Sequence, residues 1–383
     1  MKNLIDKEEL LDILQTLIQN KSQYPIETEE AVARYIQQVL IDNGIEAELS
    51  WVAPGRPNVI AKLVGIKSGP TLLYNGHLDV VPAGAGWCVE PFKGSIKEGK
   101  MYGRGAADMK SGVASMIYAA IVLKRMGNPF SGELILCFNV DEERENLGMK
   151  KFLTEELNVD FAVISEPTNL DICIGHRGCG RYRIKTNGTP GHVSVVKKPD
   201  NAISKMVKIM NALDELCISI NNRVHPIIGS ASLIVSQIKG GTAPNIVPHL
   251  CEIEVDRRIL PDEVKHDVYN EIDNCIKNVA EQHSFSYQFE NYQYLAASYI
   301  DESHLFVKEL SETILKIRKK EAKVRVFEAS CEAAFLSVEK GIPTIICGPG
   351  SIQQAHVVDE YVEIKEMEDA ALMFMELALR ILQ

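Results

Sequence analysis

The pattern of hydrophobic and polar residues divides the chain into three stretches. Up to about Gly175, helical periodicity at residues 7–20 and 26–43 alternates with strand-like segments that are apolar on both faces. These segments read "NVIAKLVG", "PTLLYNGHLDVV", "GELILCFNVDEE" and "FAVISEP". Such strands between helices are typical of an α/β fold, with a mostly parallel sheet covered by helices on both faces.

A different pattern follows Gly175. "GRYRIKTNGTPG" alternates polar and apolar residues, as a half-exposed antiparallel strand does. Predicted helices at about 199–217 and 261–281 alternate with the strand-like "ASLIVSQIKGG", "LCEIEVDRRI" and "SFSYQFENYQ". The order β-α-β-β-α-β predicts a ferredoxin-like α+β domain.

The last stretch returns to the first pattern. A predicted helix at about 302–318 precedes the apolar strand "GIPTIICGPG" and a closing helix, "EMEDAALMFMELALRILQ". We therefore expect one α/β domain in two parts, residues 1–176 and 293–383, interrupted by an inserted ferredoxin-like domain at residues 177–292.

Composition narrows the class of protein. The 383 residues are 46% hydrophobic and 24% charged, which is ordinary for a globular protein. A net charge of −11 argues against nucleic acid as a partner. The chain shows no signal-peptide pattern and no apolar stretch long enough to span a membrane. Its nine cysteines form no C-x-x-C pair, so we expect reduced thiols and a cytoplasmic protein.

The first candidate for chemistry is "GHLD", where His77 and Asp79 follow an apolar strand. In extended chain these two side chains point to the same side. Burial of both is costly unless something pairs with them. Three interpretations are open: a hydrogen-bonded pair that closes the strand, a dyad for a Ser or Cys nucleophile, and a metal ligand with a supporting carboxylate.

Acidic and histidine residues recur wherever a predicted strand ends. Ligands of open α/β sheets bind at the carboxyl ends of the strands, so these residues should converge. Several converging carboxylates repel one another unless a cation is present. No G-x-S-x-G elbow or dinucleotide fingerprint offers an alternative. The candidates for a two-metal site are His77, Asp79, Asp108, Asp141, Glu142, Glu143, Glu166 and His356.

Eight motifs in one order carry a resemblance to a known family. They are "GHLDVVP", "GRGAADMKSG", "DEE", "SEPT", "GTPGHVS", "GGTAPNIVP", "DRRILP" and "GPGSIQQAHVVDEYV". As a set, they resemble the dinuclear zinc amidohydrolases that include acetylornithine deacetylase, succinyl-diaminopimelate desuccinylase, aminoacylase-1 and glutamate carboxypeptidase. The last motif, with "ASCEAAFL" before it, looks closest to acetylornithine deacetylases.

The resemblance implies a role for each matching residue at the metal site. His77, Asp108 and Glu166 would bind one metal. Asp108, Glu143 and His356 would bind the other, so that Asp108 bridges the two. Asp79 would orient His77, and Glu142 would be the general base that takes a proton from the attacking water. The peptide bond after Asp108 is expected to be cis.

The resemblance also implies residues that handle the substrate. His192 would polarise the scissile carbonyl across a dimer interface. Asn245 and Arg258 would bind substrate, Arg258 through the α-carboxylate, with Arg257 as the competing assignment. Gly350 and Ser351 of "GPGS" would lie near the substrate as backbone donors.

The implied activity is hydrolysis of the amide bond of a small N-acyl amino acid, with two Zn²⁺ or Co²⁺ ions per subunit and a homodimer joined through the inserted domain. N-acetylornithine-like deacetylation, as in arginine biosynthesis, is the leading expectation. Desuccinylation of N-succinyl-diaminopimelate and dipeptide or carboxypeptidase cleavage remain alternatives. A metal-free binding protein on the same fold is the alternative from another class.

Overall fold

The computed structural model describes residues 5–155 and 158–383, and the described chain forms two compact units. The first unit comprises the residues up to His176 together with Tyr299–Gln383, and the second is Arg177–Ser298. Eight α-helices are described: α1 Lys7–Gln19, α2 Glu30–Asp42, α3 Ser111–Arg125, α4 Leu147–Phe152, α5 Ala202–Asn221, α6 Lys265–Gln282, α7 Leu305–Arg318 and α8 Ile364–Ile381.

The strands of the first half of the chain are β1 Glu46–Ala53, β2 Arg56–Val64, β3 Thr71–His77, β4 Ser95–Lys97, β5 Lys100–Tyr102, β6 Glu133–Asn139, β7 Phe161–Ile164, β8 Ile172–His176 and β9 Gly178–Asn187. Those of the second half are β10 Val224–His225, β11 Gly229–Ser230, β12 Ser232–Gly240, β13 Leu250–Ile259, β14 Tyr287–Leu295, β15 Ser298–Tyr299, β16 Val324–Phe327, β17 Thr344–Ile346 and β18 Tyr361–Glu363.

A nine-stranded sheet organises the first unit. Its strand order is β1-β2-β6-β3-β7-β17-β8-β15, with β16 beside β8. The pairs β3/β6, β3/β7, β7/β17 and β8/β16 are parallel, whereas β1/β2, β2/β6 and β8/β17 are antiparallel. Every residue of β3 and β8 is buried, as expected of strands covered on both faces. The predicted α/β class and largely parallel sheet are confirmed.

The helix α3 lies in the core of this unit. It packs against α1 and α8, and its small residues allow that close packing. Among the described residues, Ala106–Arg125 is the one segment with the length and hydropathy of a membrane span, and its apolar window is entirely buried inside the protein. A buried core helix accounts for that composition. The expected cytoplasmic location stays a prediction.

The helix α2 begins later than its periodicity predicts. The periodicity predicts a start at residue 26, but the helix begins at Glu30. The N–H groups of Ile26 and Glu27 both donate to the carbonyl of Gln23, at 2.8 and 3.2 Å, so these residues form a turn. An apolar residue at position 26 fits the helical period without belonging to the helix.

The second unit is a four-stranded antiparallel sheet with two helices. The chain order is β9-α5-β12-β13-α6-β14, and the strands lie in the order β12-β13-β9-β14. This arrangement follows the β-α-β-β-α-β pattern of ferredoxin-like domains. The strand β12 lies at one edge of the sheet and exposes Ile234 and Ile238. The role of this unit in dimerisation or as a lid stays a prediction.

Candidate metal centre

Three parallel strands end at one edge of the large sheet. In β3 and β6, His77 lies opposite Asn139, and in β3 and β7, Asn75 lies opposite Ile164. The chain segments that follow these strands therefore begin side by side. One carries Asp79, the next carries Glu142 and Glu143, and the third carries Glu166, as the carboxyl-end rule predicts.

The carboxylate of Asp108 lies between two histidines. Its Oδ1 is 3.1 Å from Nε2 of His77, and its Oδ2 is 3.4 Å from Nε2 of His356. The same nitrogen of His356 is 3.0 Å from Oε1 of Glu143. Ligand atoms of His77, Asp108 and Glu143 all lie within 4.8 Å of one another. The peptide bond between Asp108 and Met109 is cis, which confirms that prediction.

The electrostatics of the cluster show an excess of buried negative charge. Burial, followed by the charge of Asp108, raises the pKa of Glu166 well above its ordinary value. Burial likewise raises the pKa of Glu142 well above its usual range. Hydrogen bonds with Asp108 and Glu143 raise the pKa of His356 to about 10. These raised pKa values show that the cluster favours added positive charge, which a bound cation can supply in place of protons. The N and O donor atoms of the cluster fit Zn²⁺.

Burial shifts the pKa of His77 and the pKa of Asp108 in opposite directions. For His77, burial lowers the pKa, but the hydrogen bond with Asp108 and the charge of Glu142 raise it well above its ordinary value. For Asp108, burial raises the pKa, but the hydrogen bonds with the two histidines hold it well below its usual range. Asp108 is therefore the carboxylate of the cluster that stays ionised most readily.

Asp79 makes two kinds of contact. Its main-chain carbonyl is 2.8 Å from Nδ1 of His77 and accepts the ring proton there, which leaves Nε2 facing Asp108. Its carboxylate lies 3.8 Å from Nδ1 and instead accepts hydrogen bonds from the N–H groups of Glu142 and Glu143, both at 3.1 Å. The expected support of His77 thus comes from the main chain of Asp79, while its side chain holds the next loop.

Asp141 points into a buried ion pair that the sequence analysis did not find. Its Oδ1 is 2.7 Å from Nη1 of Arg56, whose other nitrogens donate to Glu29. Its Oδ2 accepts the N–H of Glu145 at 3.2 Å. Asp141 therefore fixes the loop rather than joining the cluster around Asp108. No local pattern marks Arg56 or Glu29, because both look like ordinary exposed charges.

Glu332 of "ASCEAAFL" is a second buried residue at the site that the sequence pattern does not indicate. Its Oε1 accepts a hydrogen bond from Nδ2 of Asn139 at 3.0 Å. Burial raises the pKa of Glu332 to about 7, against the lowering effect of the bonds with Asn139 and Asn75. Because Asn139 pairs with His77 across the sheet, Glu332 contacts the strand end next to the one that carries His77.

The predicted substrate residues of the second unit lie in two places, beside the bridge between His192 and Ile246 and on the strand β13. His192 is exposed, and its Nδ1 is 2.7 Å from Oγ of Ser194. A bridge between His192 and Ile246 brings Asn245 beside it. On β13, Arg257 is fully buried and pairs with Glu263, whereas Arg258 is partly exposed. Of the two arginines, Arg258 is the one that a solute can reach.

The "GPGS" loop of the first unit differs from the expected donor site. The N–H of Gly350 donates to Oε2 of Glu366 at 3.0 Å, so this donor is already engaged. Oγ of Ser351 accepts the N–H of Gln353 at 3.3 Å. Glu366 lies on α8, sixteen residues away, and the strand-and-turn pattern of the loop does not indicate that contact.

The fold and the cluster define a metal-dependent hydrolase of the peptidase and amidohydrolase type. The model of Peptidase family M20/M25/M40 matches residues 73–380. The chain belongs to this family.

Curated relatives match along nearly the whole chain. An N-formyl-4-amino-5-aminomethyl-2-methylpyrimidine deformylase of Halalkalibacterium halodurans is 28% identical, covering 94% of this chain and 92% of its own. A succinyl-diaminopimelate desuccinylase of Wolbachia pipientis is also 28% identical, covering 96% of this chain and 92% of its own. These names give no support to the expected likeness to acetylornithine deacetylases.

Solved structures share the fold. Aminopeptidase PepT from Bacillus cereus superposes with a TM-score of 0.81 at 20% identity, over 99% of this chain and 100% of its own. The YXEP protein of Bacillus subtilis, described as a dinuclear metal binding peptidase, gives a TM-score of 0.75 at 17% identity, over 98% of both chains. At these identities the likeness shows the fold alone.

Proposed function

We propose that the protein hydrolyses the amide bond of a small N-acyl amino acid at a site for two divalent metal ions, Zn²⁺ or Co²⁺. One observation carries the proposal: the two oxygens of Asp108 face two different histidines, His77 at 3.1 Å and His356 at 3.4 Å. A carboxylate in that position suits a bridge between two ions.

The ligand sets in this proposal are those that the family resemblance implies. His77, Asp108 and Glu166 would hold one ion, and Asp108, Glu143 and His356 would hold the other. When bound, such ions polarise a carbonyl and lower the pKa of water to about 7. The carbonyl of Asp79 keeps the proton of His77 on Nδ1, so that Nε2 is free to act as a ligand.

Glu142 is the proposed general base. It accepts a proton from the attacking water and delivers it to the leaving amine. Its neighbour Glu143 contacts His356, whereas no hydrogen bond of the Glu142 side chain is described, so Glu142 is the glutamate available to move a proton.

The second unit supplies substrate contacts in this proposal. Arg258 binds the α-carboxylate, Asn245 also binds the substrate, and His192 stabilises the oxyanion that forms at the scissile carbonyl. The unit also joins two chains into a homodimer. The strand β12 supports this, because it is an edge strand of the described sheet and exposes Ile234 and Ile238.

The acyl group is open between four classes. Succinyl and formyl amides come first, because a desuccinylase and a deformylase are among the relatives that match nearly the full chain. N-acetylornithine and dipeptides follow. A metal-free binding protein on this fold is the competing class, and the presence of Glu142 and the complete ligand set disfavours it.

A substrate screen tests the proposal. The protein, with measured zinc or cobalt content, is incubated with N-succinyl, N-formyl and N-acetyl amino acids and with dipeptides. We expect turnover of one class, lost on chelation and restored by Zn²⁺ or Co²⁺. Failure to bind either metal would refute the function.

A further inference from the structure

Glu360 is a fully buried glutamate outside the proposed ligand set. It belongs to the "HVVDEYV" motif, four residues after His356. Both carboxylate oxygens are occupied. Oε1 accepts the N–H groups of Ala107 at 2.8 Å and Asp108 at 3.1 Å, and Oε2 accepts the N–H of Gly105 at 3.0 Å and Nη1 of Arg104 at 2.6 Å.

These donors need an acceptor because of where they lie. The segment from Gly105 to Asp108 leads into α3, and the first N–H groups at a helix start have no partner within the helix. Asp108 itself has non-helical backbone angles, φ −115° and ψ 96°. Glu360 therefore satisfies buried N–H groups that would otherwise be unpaired, and it does so at the residue that carries the central carboxylate.

The main chain also joins the segment of Glu360 to the segment that leads to Asp108. The strands β5 and β18 pair in antiparallel fashion, and next to this pair the N–H of Gly103 donates to the carbonyl of Glu360 at 2.9 Å. From the other side, Nζ of Lys110 donates to the carbonyls of Leu17 and Asn20, at 2.8 and 3.0 Å. The Asp108 segment is held from both directions.

We propose that Glu360 is a positioning residue for the metal centre, which fixes Asp108 relative to His356 by tying their two chain segments together. The proposal rests on the proposed metal site. Its physical basis is that a bridging carboxylate must meet two ions at once, so a small displacement of its main chain weakens both. Outer hydrogen-bond partners of metal ligands typically contribute about 10–100-fold in metal affinity.

The variant Glu360→Gln removes half of these contacts with little change in shape. The amide oxygen of Gln still accepts one pair of donors, but its NH₂ group faces the other pair, either Gly105 and Arg104 or Ala107 and Asp108. The matched control is Glu363→Gln. Glu363 lies three residues further on and is exposed, and its side chain pairs with Lys100 at 3.7 Å.

The test measures zinc affinity by competition with a chromophoric chelator, zinc stoichiometry, and thermal unfolding of the metal-free protein. We expect Glu360→Gln to bind zinc at least tenfold more weakly than wild type, with Glu363→Gln within about twofold of wild type. Glu360→Asp keeps the charge but shortens the side chain, and we expect an intermediate loss. High zinc should restore part of the kcat of Glu360→Gln, which a purely structural defect would not allow.

Each other outcome decides against the proposal. If folded Glu360→Gln binds zinc as tightly as wild type, Glu360 does not position the centre. If Glu360→Gln does not fold, Glu360→Asp takes its place, and wild-type affinity there overturns the proposal, as does failure of both variants to fold. If wild type itself binds no metal, the proposed function fails first, and that result is distinct from equal binding by wild type and variant.

Discussion

The carboxylate of Asp79 accepts a hydrogen bond from the main-chain N–H of Glu142 at 3.1 Å. The two residues follow different strands and lie 63 positions apart in the sequence. With its second oxygen on the N–H of Glu143, Asp79 sets the start of the loop that carries both glutamates. Asp79, which is expected to orient His77, therefore also positions the proposed general base, Glu142.

Asp79→Asn should therefore act on turnover more than on metal content. One N–H would face the amide NH₂ instead of an oxygen, and the Glu142 loop would shift, while the carbonyl that holds His77 remains. We expect kcat to fall about 10–100-fold, with zinc content near that of wild type. Kinetics and metal analysis on the same preparation check this. Loss of zinc with an unchanged kcat per bound ion would contradict it.

Glu142→Gln should retain both metals and lose turnover. Gln has nearly the same size but cannot accept a proton, and a general base typically contributes about 10²–10⁴-fold. Glu143→Gln is the matched control, because Glu143 contacts His356 at 3.0 Å and should be needed for metal binding. If Glu142→Gln loses metal while Glu143→Gln keeps it, the two glutamates have been assigned the wrong way round.

Arg56→Ala should destabilise the fold. Arg56 is buried between Glu29 and Asp141, so its removal leaves two buried carboxylates without their partner. Breaking a buried pair in this way typically costs about 3–5 kcal/mol. Denaturant unfolding measures the loss. Arg34→Ala is the control: Arg34 forms an exposed pair with Glu30 at 2.8 Å, where about 0.3–0.5 kcal/mol is typical. If both variants lose the same free energy of unfolding, the buried ion pairs of Arg56 do not contribute more to stability than an exposed pair.

Zinc affinity should rise with pH. Asp108 and Glu143 raise the pKa of His356 to about 10, so in the metal-free protein His356 carries a proton at neutral pH. A raised histidine pKa stabilises the metal-free fold below the unfolded value of about 6.5, and this contribution is lost as the pH rises through about 10. A histidine must be neutral to act as a metal ligand, so metal binding releases that proton. Titration calorimetry in two buffers from pH 6 to 8 counts the protons. His356→Ala should release fewer, and an equal release would show that His356 is not a ligand.

Local sequence pattern was enough to locate the strand ends of the site. His77 and Glu166 follow apolar strands, and parallel strands end at one edge, so their convergence follows from general rules. The partners of Arg56 and Glu360 could not be predicted in this way. Arg56 binds Asp141, and Glu360 binds the segment before Asp108, over long separations in sequence. A buried charge looks like an exposed one until the fold shows which groups surround it.

The same limit applies to the "GPGS" loop. The resemblance implied backbone donors at Gly350 and Ser351, but the N–H of Gly350 donates to Glu366 of α8. The choice between Arg257 and Arg258 was also open from strand alternation alone. Burial separates them, because Arg257 is fully buried and pairs with Glu263. Which of two neighbouring side chains meets solvent depends on which face of the sheet the helices cover, and that is a property of the whole unit.

Mixing two inactive variants tests whether the active site needs two chains. We expect Glu142→Gln and His192→Ala to be nearly inactive alone. If His192 acts on the substrate held by the partner chain, a mixed dimer contains one site with Glu142 and His192 both intact, and activity returns. Random exchange makes half of the dimers mixed, each with one working site, so about a quarter of the wild-type activity is the upper limit. His192 is exposed on the second unit, with Ser194 its described hydrogen-bond partner, which leaves Nε2 available for such a role.

Subunit exchange is verified by mass spectrometry of differently tagged chains. The control mixture pairs Glu142→Gln with Glu143→Gln, whose changes fall in one site and should not complement. Proven exchange without recovered activity would show that His192 acts within its own chain or has no part in the reaction.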